Sequence, residues 1–325
     1  ELLNLCYKVI YYKRTKNIKY IFSTIPSFVN TRNNIELLKN LLDNNYPILF
    51  EGLHSCFYLN HPELVNRNRV VRTHNIELEY YKKLAIYDRN IFNKIHYFFE
   101  TLKLKNYEVN TLKHASAIAA ISKNDFIYLK TFHNNVNHVS AFHPNDDVIS
   151  KIGKGDFILY HGTLSIPENL NAAIWLVKNV FSKLNYKCII IGNCKPKSLS
   201  NLIKRYKNIE LISNIPTNEI HSYIQNAHIN ILPTFQNTGI KLKLLAAIFN
   251  GRFCIANSFM VENTGLDPLC IVKNSPTEMI NSINEIMKTP FTEEIIEYRR
   301  NYLNENNFTN EKSITNLLKI IFPTL

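Results

Sequence analysis

The stretch from Ile229 to Gly251 constrains the fold more than any other part of the chain. Ile229, Ile231 and Leu232 form a short apolar run. A loop through Pro233 and Thr234 follows, and then a helix expected to start near Gly239 and stop at Gly251. Its positions are apolar almost without break: Ile240, Leu242, Leu244, Leu245, Ala246, Ala247, Ile248 and Phe249. A helix apolar on all sides is a buried helix. Yet its first turn holds Lys241 and Lys243, at the end where the helix dipole is already positive and cations are disfavoured. An anion at that end resolves the conflict, and phosphate at a helix N-terminus is the common solution. Strand, loop and phosphate-holding helix together make a nucleotide-type site at the carboxyl edge of a parallel sheet. On a continuous helix the two lysines diverge by about 200°. One of them is therefore expected to reach the ligand, the alternative being that both side chains snorkel to water.

The chain has 325 residues, enough for two domains. With 46% hydrophobic and 20% charged residues it is a globular chain, not a disordered one. No apolar run is long enough to span a bilayer, and no signal peptide is visible. The opening residues Glu1–Ile10 read as mid-domain sequence, so the natural chain is expected to begin upstream, which leaves an export signal there open. Cys6, Cys56, Cys188, Cys194, Cys254 and Cys270 are scattered without CxxC spacing. That argues against a zinc site or a disulfide framework and for a reducing, cytoplasmic setting. The formal net charge of +12 suits nucleic acid, an anionic membrane surface or phosphorylated substrates. The cations are spread along the chain, without the basic stripe and interleaved aromatics of a nucleic-acid binder, so nucleic acid is not an expected partner.

Strand and helix patterns alternate. In the first half Cys6–Tyr12, Tyr20–Ser23, Pro47–Gly52, Val70–His74, Ala117–Ser122 and Val136–Phe142 read as strands, with helices near Asn34–Asn44, Glu77–Leu112 and Lys123–Phe132. The polar segment Asn145–Gly155 reads as a linker. The alternation then restarts, with strands at Asp156–Tyr160, Lys187–Ile191, Ile209–Ser213, Ile229–Leu232, Phe253–Ala256 and Cys270–Val272. Between them lie a helix from Pro167 through Phe181 and one near Ser198–Tyr206. Another runs to Asn226, capped by Thr217 with Ile215 as a hydrophobic staple. Three helices close the chain near Thr277–Lys288, Thr292–Asn304 and Asn310–Ile321. Short Ile- and Val-rich runs between amphipathic helices indicate parallel sheets covered on both faces. The fold class is therefore α/β, with two Rossmann-like parallel-sheet domains facing a cleft. Their expected spans are 1–150 on the acceptor side, 151–305 on the nucleotide-sugar side, and a final helix over 306–325 packing back on the first domain.

Four segments in order, Tyr160–Ala173, Cys188–Asn193, Glu219–Pro233 and Thr238–Asn257, resemble the strand–glycine–helix units of the GT-B glycosyltransferases of group 1. Leu49–Ser55 and Val70–Tyr81 are similar to sugar-transferase domains common in Bacteroidetes-type bacteria. The resemblance implies a nucleotide diphosphate sugar as donor substrate, no further cofactor, a glycan or lipid-linked hydroxyl as acceptor, and retention of configuration. The chain also departs from the family. Many members carry two glutamates eight positions apart, the second on the donor ribose; here Thr238 and Ala246 stand there. Many hold the diphosphate with an Arg and a Lys after the first strand of the second domain, and Thr163 and Glu168 occupy roughly those places. The Gly239-Ile240-Lys241-Leu242-Lys243 run matches a subgroup pattern, whose last cation falls on Lys243.

The candidate residues follow. His74 ends a strand whose carboxyl end is expected at the site, and the resemblance implies that it contacts the donor sugar; a surface or capping His is the alternative. His54, Asn75 and Glu77 are acceptor-side candidates, against loop, cap and helix-dipole roles. On the donor side stand Lys243, Lys241, Thr238, Gly239, Ile240, Pro233 and Thr234. His161, Gly162 and Thr163 end one strand and Gly192 and Asn193 another; a plain turn, or for Gly192 a positive φ, is the bland reading. The aromatics of Ile91–Phe99 read as helical core packing in preference to a membrane-contacting face, although peripheral contact with an anionic membrane fits the charge. Asp146 and Asp147 fall in the linker and no acidic pair sits at a strand end, so no metal is expected. The reading is hexosyl transfer from a nucleotide diphosphate sugar. A non-catalytic sugar-nucleotide binder and a GT-B-shaped epimerase are the nearer rivals, and a nucleic-acid binder the remote one.

Overall fold

The computed structural model describes residues 4–15, 17–88, 90–235 and 241–323. The chain forms two compact units. Residues up to Val139 together with those from Ile314 onward make one, and Ser140–Ser313 makes the other.

In the first unit four parallel strands, β1 (Ile48–Glu51), β2 (Arg69–Thr73), β3 (Ala117–Ala120) and β4 (Val136–His138), lie in sequence order. Val70 and Val71 on β2 and Ile118, Ala119 and Ala120 on β3 are fully buried, as a sheet covered on both faces requires. The helices are α1 (Ser27–Asn30), α2 (Ile35–Leu42), α3 (Glu77–Tyr87), α4 (Ile91–Leu112) and α5 (Lys123–Lys130). The continuous helix expected over Glu77–Leu112 is two helices. Asn90 starts the second by accepting hydrogen bonds from the backbone of Phe92 and Asn93, an N-cap that interrupts what periodicity alone would run together. Two expected strands are absent. Cys6–Tyr12 has no regular structure, and a 3₁₀ helix covers Ile18–Phe22 in place of a strand at Tyr20–Ser23. Tyr7, Tyr11, Ile18 and Phe22 are exposed, so these apolar runs have no sheet neighbour to bury them.

In the second unit six parallel strands take the order β10-β9-β8-β5-β6-β7. They are β5 (Phe157–His161), β6 (Lys187–Gly192), β7 (Ile209–Ser213), β8 (Ile229–Leu232), β9 (Phe253–Ala256) and β10 (Ile271–Val272). Their helices are α6 (Pro167–Asn179), α7 (Lys197–Ile203), α8 (Thr217–Asn226), α9 (Leu242–Asn250), α10 (Ser258–Val261), α11 (Pro276–Ile286), α12 (Glu293–Glu305) and α13 (Asn310–Ile321), the last running on into the first unit. Near its end Asn68 donates to the carbonyls of Ile320 and Ile321. α9 is buried as its composition requires, except at exposed Leu242 and half-buried Lys243 and Ala246. Pro216, not Thr217, occupies the cap position of α8, and Ile215 and Ile220 on either side of it share one apolar cluster. The chain reverses strand order at β5, between β8 and β6, which is where ligands of open α/β sheets bind.

The segment read as a linker belongs to the second unit and is tied to it by hydrogen bonds. Ile149 N–H donates to Phe249, Ser150 Oγ to the Gly251 carbonyl at 2.6 Å, and Asn145 joins Asn250 at 2.6 Å. Gly153 forms a two-way backbone bridge with Phe291. Asn145, Val148 and Ser150 point inward while Asp146, Asp147, Ile149, Lys151, Ile152 and Lys154 are exposed, and the division between the units falls after Val139 instead of at 150.

Candidate functional site

In the second unit a cavity of about 590 Å³ opens at the carboxyl ends of β5, β6 and β7. His161 ends β5, Gly192 ends β6, Asn214 follows β7, and the first residues of α6 and α9 complete the wall. Two helix N-termini therefore meet at one pocket, each leaving orphan N–H groups and a partial positive charge.

Lys241 and Lys243 both line this cavity. They do not diverge as on a regular helix, because Lys241 is the cap residue, with ψ 62°, and α9 begins at Leu242. Nor do they snorkel: Lys241 is 8% exposed and Lys243 half-buried. Lys241 Nζ lies 3.7 Å from Glu168 Oε1, and the Thr234 hydroxyl donates to the same carboxylate. Lys243 Nζ donates to Asn169 Oδ1 at 2.8 Å and sits 5.4 Å from the centroid of the Tyr160 ring. Among the described residues no carboxylate is within ion-pair distance of Lys243. Burial pulls its pKa down to about 8, Glu168 opposing and Lys241 assisting, so near neutrality it is charged and only a small step from losing its proton. A desolvated ammonium paired to an amide oxygen is a cation with unmet demand for an anion.

His161 is 6% exposed and its Nε2 has no hydrogen-bond partner among the described residues. Burial, then the charge of Lys243, lowers its pKa to about 3, so it is a neutral imidazole. Gly162 and Thr163 also line the pocket. Asn193 spends its side chain on the facing loop, accepting from Ser165 N–H at 3.1 Å and donating to Ser165 Oγ at 2.9 Å. Gly192 is required by close approach and not by a positive φ: a Cβ there would stand 2.3 Å from Leu164 Cγ. Pro233 and Thr234 do not line the cavity. Thr234 is fully buried and its backbone is clamped by Asn257, at 3.0 and 2.6 Å. Thr238, Gly239 and Ile240 lie outside the described residues. Glu168, which the resemblance puts near a diphosphate-holding position, lines the pocket, and sequence reasoning missed Asn169 beside it. The available signal was Pro167, which starts a helix and places the next two side chains in its first turn.

A separate cluster occupies the carboxyl ends of β1 and β2 in the first unit. His74 Nε2 is 2.8 Å from Glu51 Oε2, and Arg72 Nη1 donates to the same carboxylate at 3.3 Å. Burial alone would raise the Glu51 pKa, but the His74 hydrogen bond and Arg72 outweigh it and hold the group ionised below its ordinary range. The carboxylate thus fixes the ring and assigns the proton to Nε2. His54 packs edge-on to His74 with centroids 5.9 Å apart, and burial followed by Arg32 lowers its pKa to about 4. Gly52, at φ 75°, makes the turn between Glu51 and His54. Asn75 is half-buried beside the cluster. Glu77 is buried, its pKa raised to about 7 by desolvation against the pull of His74. Its backbone N–H donates to Glu108 Oε1 at 2.7 Å, and Leu78 N–H to Oε2 at 3.2 Å, so a carboxylate from α4 caps α3 where Ile76 offers no side chain.

Asp147 is engaged with Arg300 at 3.0 Å. Among the described residues no group of three or more His, Cys, Asp or Glu side chains is placed to share a metal ion. Among them, too, no helix is long and apolar enough to cross a membrane.

Residues 155–289 match the family model of glycosyl transferases group 1. An uncharacterized 44.6 kDa protein of the cps region of Klebsiella pneumoniae is 27% identical over 92% of this chain and 78% of its own length. Among solved structures, sucrose-phosphate synthase from Thermosynechococcus elongatus superposes with a TM-score of 0.67 at 14% identity, covering 96% of this chain and 81% of that one. A mutant of TarM from S. aureus, solved with fondaparinux, alpha-GlcNAc-glycerol and UDP, gives 0.61 at 11% identity over 90% of this chain and 58% of that one. At such identities the structural likeness establishes the fold.

Proposed function

Because this chain has the GT-B fold and carries a group 1 glycosyl transferase domain over residues 155–289, we propose that it moves a hexose from a nucleotide diphosphate sugar to a hydroxyl of a glycan or lipid-linked acceptor, in the cytoplasm. The observation that carries the donor is Lys243, an inward-facing ammonium without a carboxylate of its own among the described residues, in a 590 Å³ cavity between two helix starts. The diphosphate lies against Lys243 and the N-termini of α6 and α9. Lys241, already paired with Glu168, adds field more than contact. As the glycosidic bond to the donor breaks, negative charge grows on the leaving diphosphate, and the fixed cation and helix dipoles stabilise it without reorganisation. The reaction on this reading needs no metal and retains configuration. His74, held by Glu51, hydrogen-bonds the transferred sugar, with Glu77 and Asn75 toward the acceptor.

The test is ligand-dependent unfolding. UDP or GDP in saturating excess stabilises the protein by about 2–4 kcal/mol. A response to single-stranded nucleic acid and to no nucleoside diphosphate refutes the reading. Turnover of a nucleotide sugar persists in EDTA; loss restored by manganese would demand a metal-bridged diphosphate.

A further inference from the structure

From α4 we infer that the first unit docks peripherally on a bilayer carrying anionic headgroups. The outward face of this helix is apolar where a soluble surface helix is polar. Ile91, Phe92, Ile95, Phe98, Phe99 and Leu102 are 49–78% exposed, and at about 100° per residue they share one arc of the helix. The opposite arc, Glu100, Leu104, Glu108, Thr111 and Leu112, is buried in the unit. Core packing is thus supplied by one face, and the aromatic face has no partner among the described residues.

The charges say what covers it. Both acids of α4 point inward: Glu108 caps α3, and Glu100 accepts from Ser27 and from Lys103 at 2.7 Å. The exposed arc holds no acid, and Lys94 and Lys105 border it. Lys103 Nζ also donates to the Tyr20 carbonyl at 3.0 Å, tying the Ile18–Phe22 turn to the helix. That turn presents Ile18 and Phe22 at 78% and 88% exposure beside exposed Lys19. An apolar, Phe-rich face edged by lysines on a chain of net charge +12 is complementary to an anionic lipid surface. An acidic protein partner would match the lysines but leave six large apolar side chains to a surface of its own design. No described helix is apolar enough to cross the bilayer, so α4 lies in the interface.

The contact is independent of sugar transfer and is tested by vesicle co-flotation of the full chain. The protein binds vesicles containing one-third phosphatidylglycerol far better than pure phosphatidylcholine. Phe92→Glu with Phe98→Glu weakens binding by about tenfold or more for each side chain withdrawn. Lys94→Gln with Lys105→Gln lowers the preference for anionic vesicles by roughly fivefold per charge. In the unaltered protein, hydrogen exchange over 91–102 slows when anionic vesicles are added. Absence of binding, equal binding to both compositions, or a solution dimer that the Phe92 and Phe98 changes dissolve would each overturn the inference, the last in favour of a second copy on this face.

Discussion

The two units hold their ionisable groups in opposite settings. In Ser140–Ser313 two lysines at the start of α9 face a pocket beside a neutral His161, and among the described lining residues one carboxylate, Glu168, is spent on Lys241 and Thr234. In the unit before Val139 they are carboxylates and imidazoles in mutual contact, Glu51 with His74, His54 beside it and Glu77 behind. The first arrangement is built to hold a fixed negative charge. The second offers hydrogen bonds and groups close to their proton equilibrium, Glu77 at about 7. On the proposed function, one half would serve binding and charge stabilisation and the other orienting and proton handling.

The largest expected effect concerns packing. Leu176 is fully buried in the second unit, and Leu176→Ala costs about 2–5 kcal/mol in urea unfolding. Tyr11, 80% exposed in the first, costs less than about 0.5 kcal/mol as Tyr11→Ala. Equal costs would show that the opening segment is packed after all. Next, His74→Ala lowers kcat by about a hundredfold with unchanged affinity for UDP, and Glu51→Gln lowers it less, as a positioning change does. A loss of UDP affinity in either variant would erase the division of labour. Lys243→Ala then weakens nucleoside diphosphate binding by roughly ten- to a hundredfold, measured calorimetrically. Its pKa of about 8 fixes the sign of the pH dependence: as pH rises through that value the ammonium deprotonates, the anion loses its partner, and affinity falls. Lys243→Ala abolishes this fall; if the fall survives, another group carries the phosphate. The smallest effect is a gain. Glu168→Gln removes the one carboxylate among the described residues of the pocket yet keeps an acceptor for Thr234, and tightens diphosphate binding by about three- to tenfold. Weaker binding instead would mean that Glu168 touches the donor.

The sequence was most legible where both sides of a strand are covered. β8 and β9 fall at the expected residues, since Ile229, Ile231, Leu232 and Ile255 are all buried and turn residues bound each run. Reading failed at Cys6–Tyr12 and Tyr20–Ser23, where β-prone residues lie exposed, because composition reports what a segment could bury and not whether a neighbour is there. The same limit hid the outward aromatics of α4, which periodicity cannot distinguish from a core face. At the pocket, His161, Gly162, Gly192 and the two lysines were readable as strand and helix ends. Asn169, and the pairing of Glu168 with Lys241, were not, because they depend on α6 beginning beside α9, far away in the chain.

By itself the sequence determined two parallel α/β sheets, a buried α9 and a basic start to it, because hydrophobic period and helix polarity are local properties of residue order. Only the tertiary structure decided that Glu168 neutralises Lys241 and leaves Lys243 to face the cavity, that Glu51 fixes His74, and that Asn145–Gly155 is tied to the second unit. Those outcomes rest on distances between groups remote in the chain, and electrostatic partnership at a few ångströms is set by packing, which no local pattern records.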